Sequence, residues 1–96
     1  MKVSFEPAAR DELDRIFVWI AKESPRAALE MIARIEDKVM RLAIPGLMNM
    51  GRPGLVEGTR ELLEWPYIIV YKISEERDEI VIVSVMHGAR DREGAR

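Results

Sequence analysis

Between Thr59 and His87 the chain carries three extended runs, TRELLEW, YIIVYKI and EIVIVSVMH, separated only by Pro66 and by the charged break SEERD. β-Branched and aromatic residues fill these runs, and breaks this short leave no room for a crossover connection. The three segments therefore have to pair as an antiparallel meander. Such a meander cannot stand alone in water. Its apolar face must be buried by something else in the chain.

The first half supplies that cover. KVSFE, at Lys2 to Glu6, alternates polar and apolar residues as a short strand does, and Pro7 fits the first position of a helix, where a missing N–H costs nothing. Ala9, Leu13, Ile16, Phe17 and Ile20 then recur at steps of three and four and form one apolar stripe. Val18 and Trp19 fall outside it. Ser24 followed by Pro25 reads as an N-cap with a pre-set first turn, opening a second helix whose stripe is Ala28, Met31, Ile32, Ile35, Val39 and Leu42. Helices joined by so little chain run antiparallel, as an αα-hairpin. Pro45 and Gly46 end the second helix, and residues 44–58, rich in Gly and Pro and without periodicity, read as a loop.

The resulting order, β-α-α-β-β-β, predicts an α+β fold with an antiparallel sheet packed on the helix hairpin. With 96 residues it forms one domain, 1–96, because a core of this size buries only about 60–65% of the unfolded surface. Residues 87–96, polar and containing glycine, are expected to form a flexible C-terminal tail. YIIVY and IVIVSV are apolar on both faces of the pleat, which a sheet covered on one side does not require. A second apolar face, or an unpaired edge beside it, is predicted to await a partner.

Charge and residue usage exclude several functions. The formal net charge is −2, and neither half is basic, so nothing in the overall electrostatics favours strong direct nucleic-acid binding. There is no cysteine to form a disulfide or serve as a thiol nucleophile. A single histidine, His87, cannot anchor a zinc site, and no acidic cluster has metal-loop spacing, so no metal or cofactor is expected. The N-terminus turns charged at once and no apolar run reaches the roughly 20 residues that span a bilayer. The expectation is a cytoplasmic protein with no membrane partner.

The words MGRPG, GTREL, PYIIVYKI and VMHGARD, in that order and within this succession of elements, resemble the RelE/ParE superfamily of toxins from bacterial type II toxin–antitoxin modules, and the ParE branch most. The likeness covers nearly the whole chain. It implies a small toxin neutralised by a cognate antitoxin whose C-terminal segment folds on it, in a complex able to form higher-order hetero-oligomers. ParE toxins poison DNA gyrase, whereas RelE toxins cut mRNA on the ribosome. The resemblance thus implies a gyrase inhibitor rather than an enzyme. The alternatives are a RelE-like, metal-independent endoribonuclease and a non-toxic binding relative.

Metal-free RNA cleavage needs a general base, a general acid and cations beside the phosphate. Arg52, Arg60, His87 and Arg90 are the side chains that can supply them, with the phenols of Tyr67 and Tyr71. Arg60 reads either as a salt bridge or backbone clamp at a strand start, or as a phosphate or partner contact. His87 reads either as the polar end of an apolar strand or as an acid–base group. RelE-type nucleases place an aromatic or acid–base residue near the C-terminus, and here nothing aromatic follows Tyr71. For a partner-binding surface the candidates are Trp19, Met48, Met50, Arg60, Tyr67, Tyr71, His87 and Arg90, where aromatic rings and methionines suit a surface buried only in a complex. Each has a competing structural reading. The two tyrosines can be core, the methionines gap fillers and Trp19 hairpin packing. Gly58 is expected to adopt a backbone conformation closed to larger side chains at the loop-to-strand junction.

Overall fold

A computed structural model describes residues 1–89. Strand β1 (Lys2–Phe5) leads directly into helix α1 (Pro7–Ala21), and Lys22 to Ser24 connect it to helix α2 (Pro25–Arg41). Both helices begin at a proline, as the sequence requires. Ser24 caps α2, its hydroxyl accepting from the Ala27 N–H at 3.1 Å, whereas Glu6 ahead of α1 makes no side-chain cap. After a long connection come β2 (Arg52–Pro53), β3 (Arg60–Glu64), β4 (Tyr67–Ser74) and β5 (Glu79–His87).

The expected meander forms from β3, β4 and β5, paired antiparallel. Two features extend it to five strands in the order β1-β5-β4-β3-β2. β1 lies parallel to β5, with Val3 opposite Ile80 and Phe5 opposite Ile82. Inside the segment expected to be loop, Arg52 and Pro53 pair with Glu61 and Arg60. Two residues carry no readable alternation, and Pro53 is tolerated because it sits on the outermost strand.

The hairpin covers one face of this sheet, with α1 over β5 and α2 against β3. Leu13, Ile16, Ile35 and Val39 from the predicted stripes are buried against Leu62, Ile69, Ile80, Ile82 and Val85, while Phe17, Ile20 and Ile32 are half-buried at the margin. β5 changes parity midway. Val70 pairs with Ser84 but Tyr71 with Ile82, so β5 holds an extra residue, and Ile82 and Val85 both face the helices across the bulge. Glu12 of α1 braces this irregularity, accepting from the Val85 N–H at 3.3 Å and the Ser84 hydroxyl at 3.4 Å. The bulge thus accounts for part of the apolar character that read as two-faced in IVIVSV.

Of the tail expected over 87–96, His87 is the last residue of β5, and the Gly88 N–H donates to the Pro66 carbonyl at 2.7 Å. Residues 90–96 lie outside the described residues.

Candidate functional site

Arg60 opens β3 opposite Tyr71 on the helix-facing side of the sheet, and both reach the chain that precedes β2. The Arg60 guanidinium donates through Nη2 to the Asn49 carbonyl at 2.9 Å and to the Gly51 carbonyl. The Tyr71 hydroxyl donates to the Met48 carbonyl at 2.9 Å and accepts from the Gly51 N–H at 3.2 Å. Four backbone groups of residues 48–51 are held by two side chains. A Cβ on Gly51 would lie 2.5 Å from the Glu61 carbonyl oxygen and 2.8 Å from the Tyr71 hydroxyl, so only glycine lets the chain pass this close. Arg60 Nε is buried without a hydrogen-bond partner among the described residues, and its Nη2 is committed to carbonyls. In this structure Arg60 clamps the backbone of residues 49 and 51 through Nη2.

Tyr67 and Tyr71, candidates for a partner groove, instead point into the core and are 3% and 0% exposed. Both stand on the helix-facing pleat with Ile69, so the hairpin that buries Ile69 buries them too. Met48 packs against the same core, while Met50 stays exposed at the edge of β2.

The remaining nuclease candidates do not converge. Arg52 pairs across β2–β3 with Glu61, whose register partner Val70 belongs to the face away from the helices. Its guanidinium meets the buried Glu61 carboxylate at 3.3 Å. His87 stands opposite Tyr67, four residues along β4 from the position that faces Arg60. That is about 13 Å along the strand and two strand spacings of about 4.8 Å across it. Its imidazole meets the Tyr67 ring edge to face, centroids 5.6 Å apart. Arg90 lies outside the described residues.

The face away from the helices carries a different feature. The turn between β2 and β3, with Gly58 at φ +84° as the junction demands, leans over the sheet so that Leu55 and Val56 stand beside Val70, Val83 and Met86 around a concavity of about 350 Å³. A second hollow of about 590 Å³ lies at the β4–β5 turn end of the sheet, where Lys72, Glu75 and Val81 meet Met48, Asn49 and Ile73 from the helix side. Lys72 and Glu6 border both hollows, and the apolar trough proper is the first, on the face away from the helices. Leu55 and Val56 are 73% and 66% exposed. Exposed Lys72 has no ion-pair or hydrogen-bond partner among the described residues.

Two tryptophans mark other apolar surface. Trp19, read as either hairpin packing or a binding anchor, is 57% exposed on α1, with the Lys22 ammonium 5.7 Å from its ring centroid. Trp65, which sequence reasoning passed over, is 69% exposed at the β3–β4 turn, and Leu63 beside it is also exposed. Leu55, Val56, Val83 and Met86 were likewise missed. A loop reading gives no reason to weigh Leu55 and Val56, and only the bulge reveals where Val83 stands. The excess of apolar residues on the second pleat face was the available signal.

The chain matches the family model for the ParE toxin of type II toxin–antitoxin systems, parDE, over residues 3–92. It is 44% identical over 77 residues to Y4kP of Sinorhizobium fredii, named as a candidate toxin, across 78% of this chain and 75% of that protein. Its fold is similar to a chain of the chromosomal ParDE toxin–antitoxin system from P. aeruginosa, with a TM-score of 0.76 and 26% identity over 91% of this chain and 95% of that one. It is also similar to a chain of the toxin–antitoxin complex RelBE2 from Mycobacterium tuberculosis, with a TM-score of 0.62 and 25% identity over 90% and 95%.

Proposed function

Because the chain belongs to the ParE toxin family of type II toxin–antitoxin systems, we propose that it arrests growth by poisoning DNA gyrase and is held in check by a cognate antitoxin. The observation that carries the choice of gyrase over message cleavage is the dispersal of the ionisable candidates. Arg60 is held by backbone carbonyls, Arg52 and Arg60 leave opposite faces of the sheet, and His87 meets Tyr67 edge to face far from both. In-line cleavage by a 2′-hydroxyl needs base, acid and cations within hydrogen-bond reach of one phosphate. A poison that stabilises another enzyme's intermediate needs a complementary surface and no proton shuttle. The partner belongs to the same reading, since the similar chains from P. aeruginosa and M. tuberculosis come from toxin–antitoxin assemblies.

The test compares wild type with His87→Ala in two purified systems, gyrase with supercoiled DNA and translating ribosomes with a defined message. Gyrase-linked DNA breaks should accumulate with both proteins to within a few-fold, and the message should stay intact. Message cleavage by wild type that falls about 10²- to 10⁴-fold in the variant, the usual cost of losing a general acid or base, would transfer the function to the ribosome.

A further inference from the structure

We propose that β1 is the contact surface for a second copy of this chain, the two β1 strands pairing antiparallel about a two-fold axis so that Lys2 of each copy meets Glu6 of the other. β1 forms one margin of the sheet and β2 the other. β2 is two residues long and ends in Pro53, which has no N–H to offer, so that margin is protected. β1 contains no proline. Its Lys2 N–H donates to the Asp78 carbonyl at 3.1 Å and the Glu6 N–H to the Ile82 carbonyl at 2.9 Å, so residues 2, 4 and 6 turn their backbone groups toward β5. Val3 and Phe5 alternate with them and turn theirs outward, where no described residue pairs with them. Their side chains lie on the helix side, half-buried beside Ile80 and Ile82, and the Arg10 guanidinium fixes the Phe5 ring, 4.2 Å from its centroid. A second strand laid here supplies the missing backbone partners and completes the burial.

Backbone and charge together select one register. Only Val3 and Phe5 can bond across the seam, so a two-fold pair sets Val3 opposite Val3, Phe5 opposite Phe5, or Val3 opposite Phe5. The first places Lys2 across from Ser4, and the second places Val3 across from Pro7, which lacks a donor. The third forms Val3 with Phe5 and its symmetry equivalent, each pair exchanging both of its backbone bonds, with Ser4 facing Ser4 on the axis. It also sets Lys2 against Glu6 at both ends of the seam, on the face away from the helices. Neither side chain has an ion-pair partner among the described residues. A lysine on a sheet margin repels most strands, and here it admits one that brings an acid to the facing position. The result is a continuous sheet of ten strands, five from each copy, with both hairpins on the same side. The hairpins do not collide. α1 lies over β5, one strand in from the margin, so the two α1 helices stand three strand spacings apart, about 14 Å, beyond the 8–10 Å of packed helices.

A seam of two short strands is at the small end of interfaces, so the dimer should form at micromolar rather than nanomolar concentration. Sedimentation velocity of the purified full chain, without antitoxin, over a concentration series spanning that range measures it. The proteins compared are wild type, Lys2→Glu, Glu6→Lys, the double variant Lys2→Glu/Glu6→Lys, Val3→Pro and, on the exposed side of α2, Arg34→Glu. Circular dichroism and melting temperature establish that each is folded. Either single charge variant sets like charges together at both ends of the seam and should weaken dimerisation about 10-fold or more. The double variant restores opposite charges across the seam and should return to within about three-fold of wild type. Lys2 also stands opposite Glu79 of its own chain, an effect that Glu6→Lys does not address, so rescue reports the seam. Val3→Pro removes an outward donor without touching a bond to β5 and should abolish the dimer; if it does not fold, the charge swap decides. Arg34→Glu should change dimerisation by less than a factor of about two. A wild-type chain that stays monomeric, a dimer indifferent to both single charge variants, or a double variant no stronger than the singles overturns the inference and leaves the functional reading standing. A monomeric chain whose affinity for antitoxin falls with Lys2→Glu assigns the margin to an antitoxin strand and also overturns it.

Discussion

Arg60 and Tyr71 act on one stretch of backbone, and their energetics should be coupled. Replacing Arg60 by Ala removes two charge-assisted contacts and leaves the Asn49 and Gly51 carbonyls without these donors. The expected cost is about 2 kcal/mol, or roughly 8–16 °C in melting temperature for a chain of this size. Tyr71→Phe keeps the ring in the core but strands the Met48 carbonyl and the Gly51 N–H, for about 1–2 kcal/mol. The double variant should cost less than the two singles added, because either loss already frees residues 48–51. Thermal melts of the four proteins measure this, and strict additivity would mean that the side chains do not share a latch. The identity of Arg60 could not separate a clamp from a phosphate ligand, since a guanidinium serves carbonyl and phosphate oxygens alike. What brings the backbone to its Nη2 is the approach of residues 49–51, a contact between segments nine to eleven positions apart that no local pattern encodes.

Elements stabilised by local chemistry were legible, and those stabilised by distant pairing were not. Both helices could be read from their stripes and their opening prolines, and α2 also from Ser24. Ser24→Ala should therefore cost about 1 kcal/mol, seen as a fall of roughly 4–8 °C in melting temperature, while Ser24→Asp should hold close to wild type. Equal losses from both substitutions would show that the hydroxyl does something other than accept from Ala27. The meander was legible for the same reason, being three β-rich runs with short breaks. The parallel alignment of β1 beside β5 joins residues more than seventy positions apart, and short alternation in KVSFE cannot say which strand it will meet. β2 is too short to carry a period. The bulge in β5 hid for a further reason. A run of Ile and Val looks apolar on either face, so shifting parity within it alters no visible pattern, yet it decides that Val85 is core and Val83 borders the trough.

At the scale of the whole molecule the sheet has helices on one side only, and the other side keeps Leu55, Val56, Val83 and Met86 around an open trough. An exposed apolar surface of this kind lowers the solubility of the free chain and is relieved by a partner that binds only the folded form. No helix among the described residues is long and apolar enough to cross a membrane. Saturating antitoxin at about 100 times its dissociation constant should add about 2.7 kcal/mol to stability. For a chain this size that is a rise of roughly 10–20 °C in melting temperature, growing with the logarithm of antitoxin concentration. Burial of apolar surface should also give binding a negative heat-capacity change, made larger by ordering of the antitoxin segment. Val83→Asp separates this linkage from general stickiness. It reduces the apolar character of the free face, so it should lessen self-association while abolishing most of the antitoxin-dependent rise. Differential scanning calorimetry of both proteins across an antitoxin titration measures the two effects together. A melting temperature that stays flat with wild type would mean that the partner does not recognise the folded chain, and a rise kept in full by Val83→Asp would place its contact away from the trough.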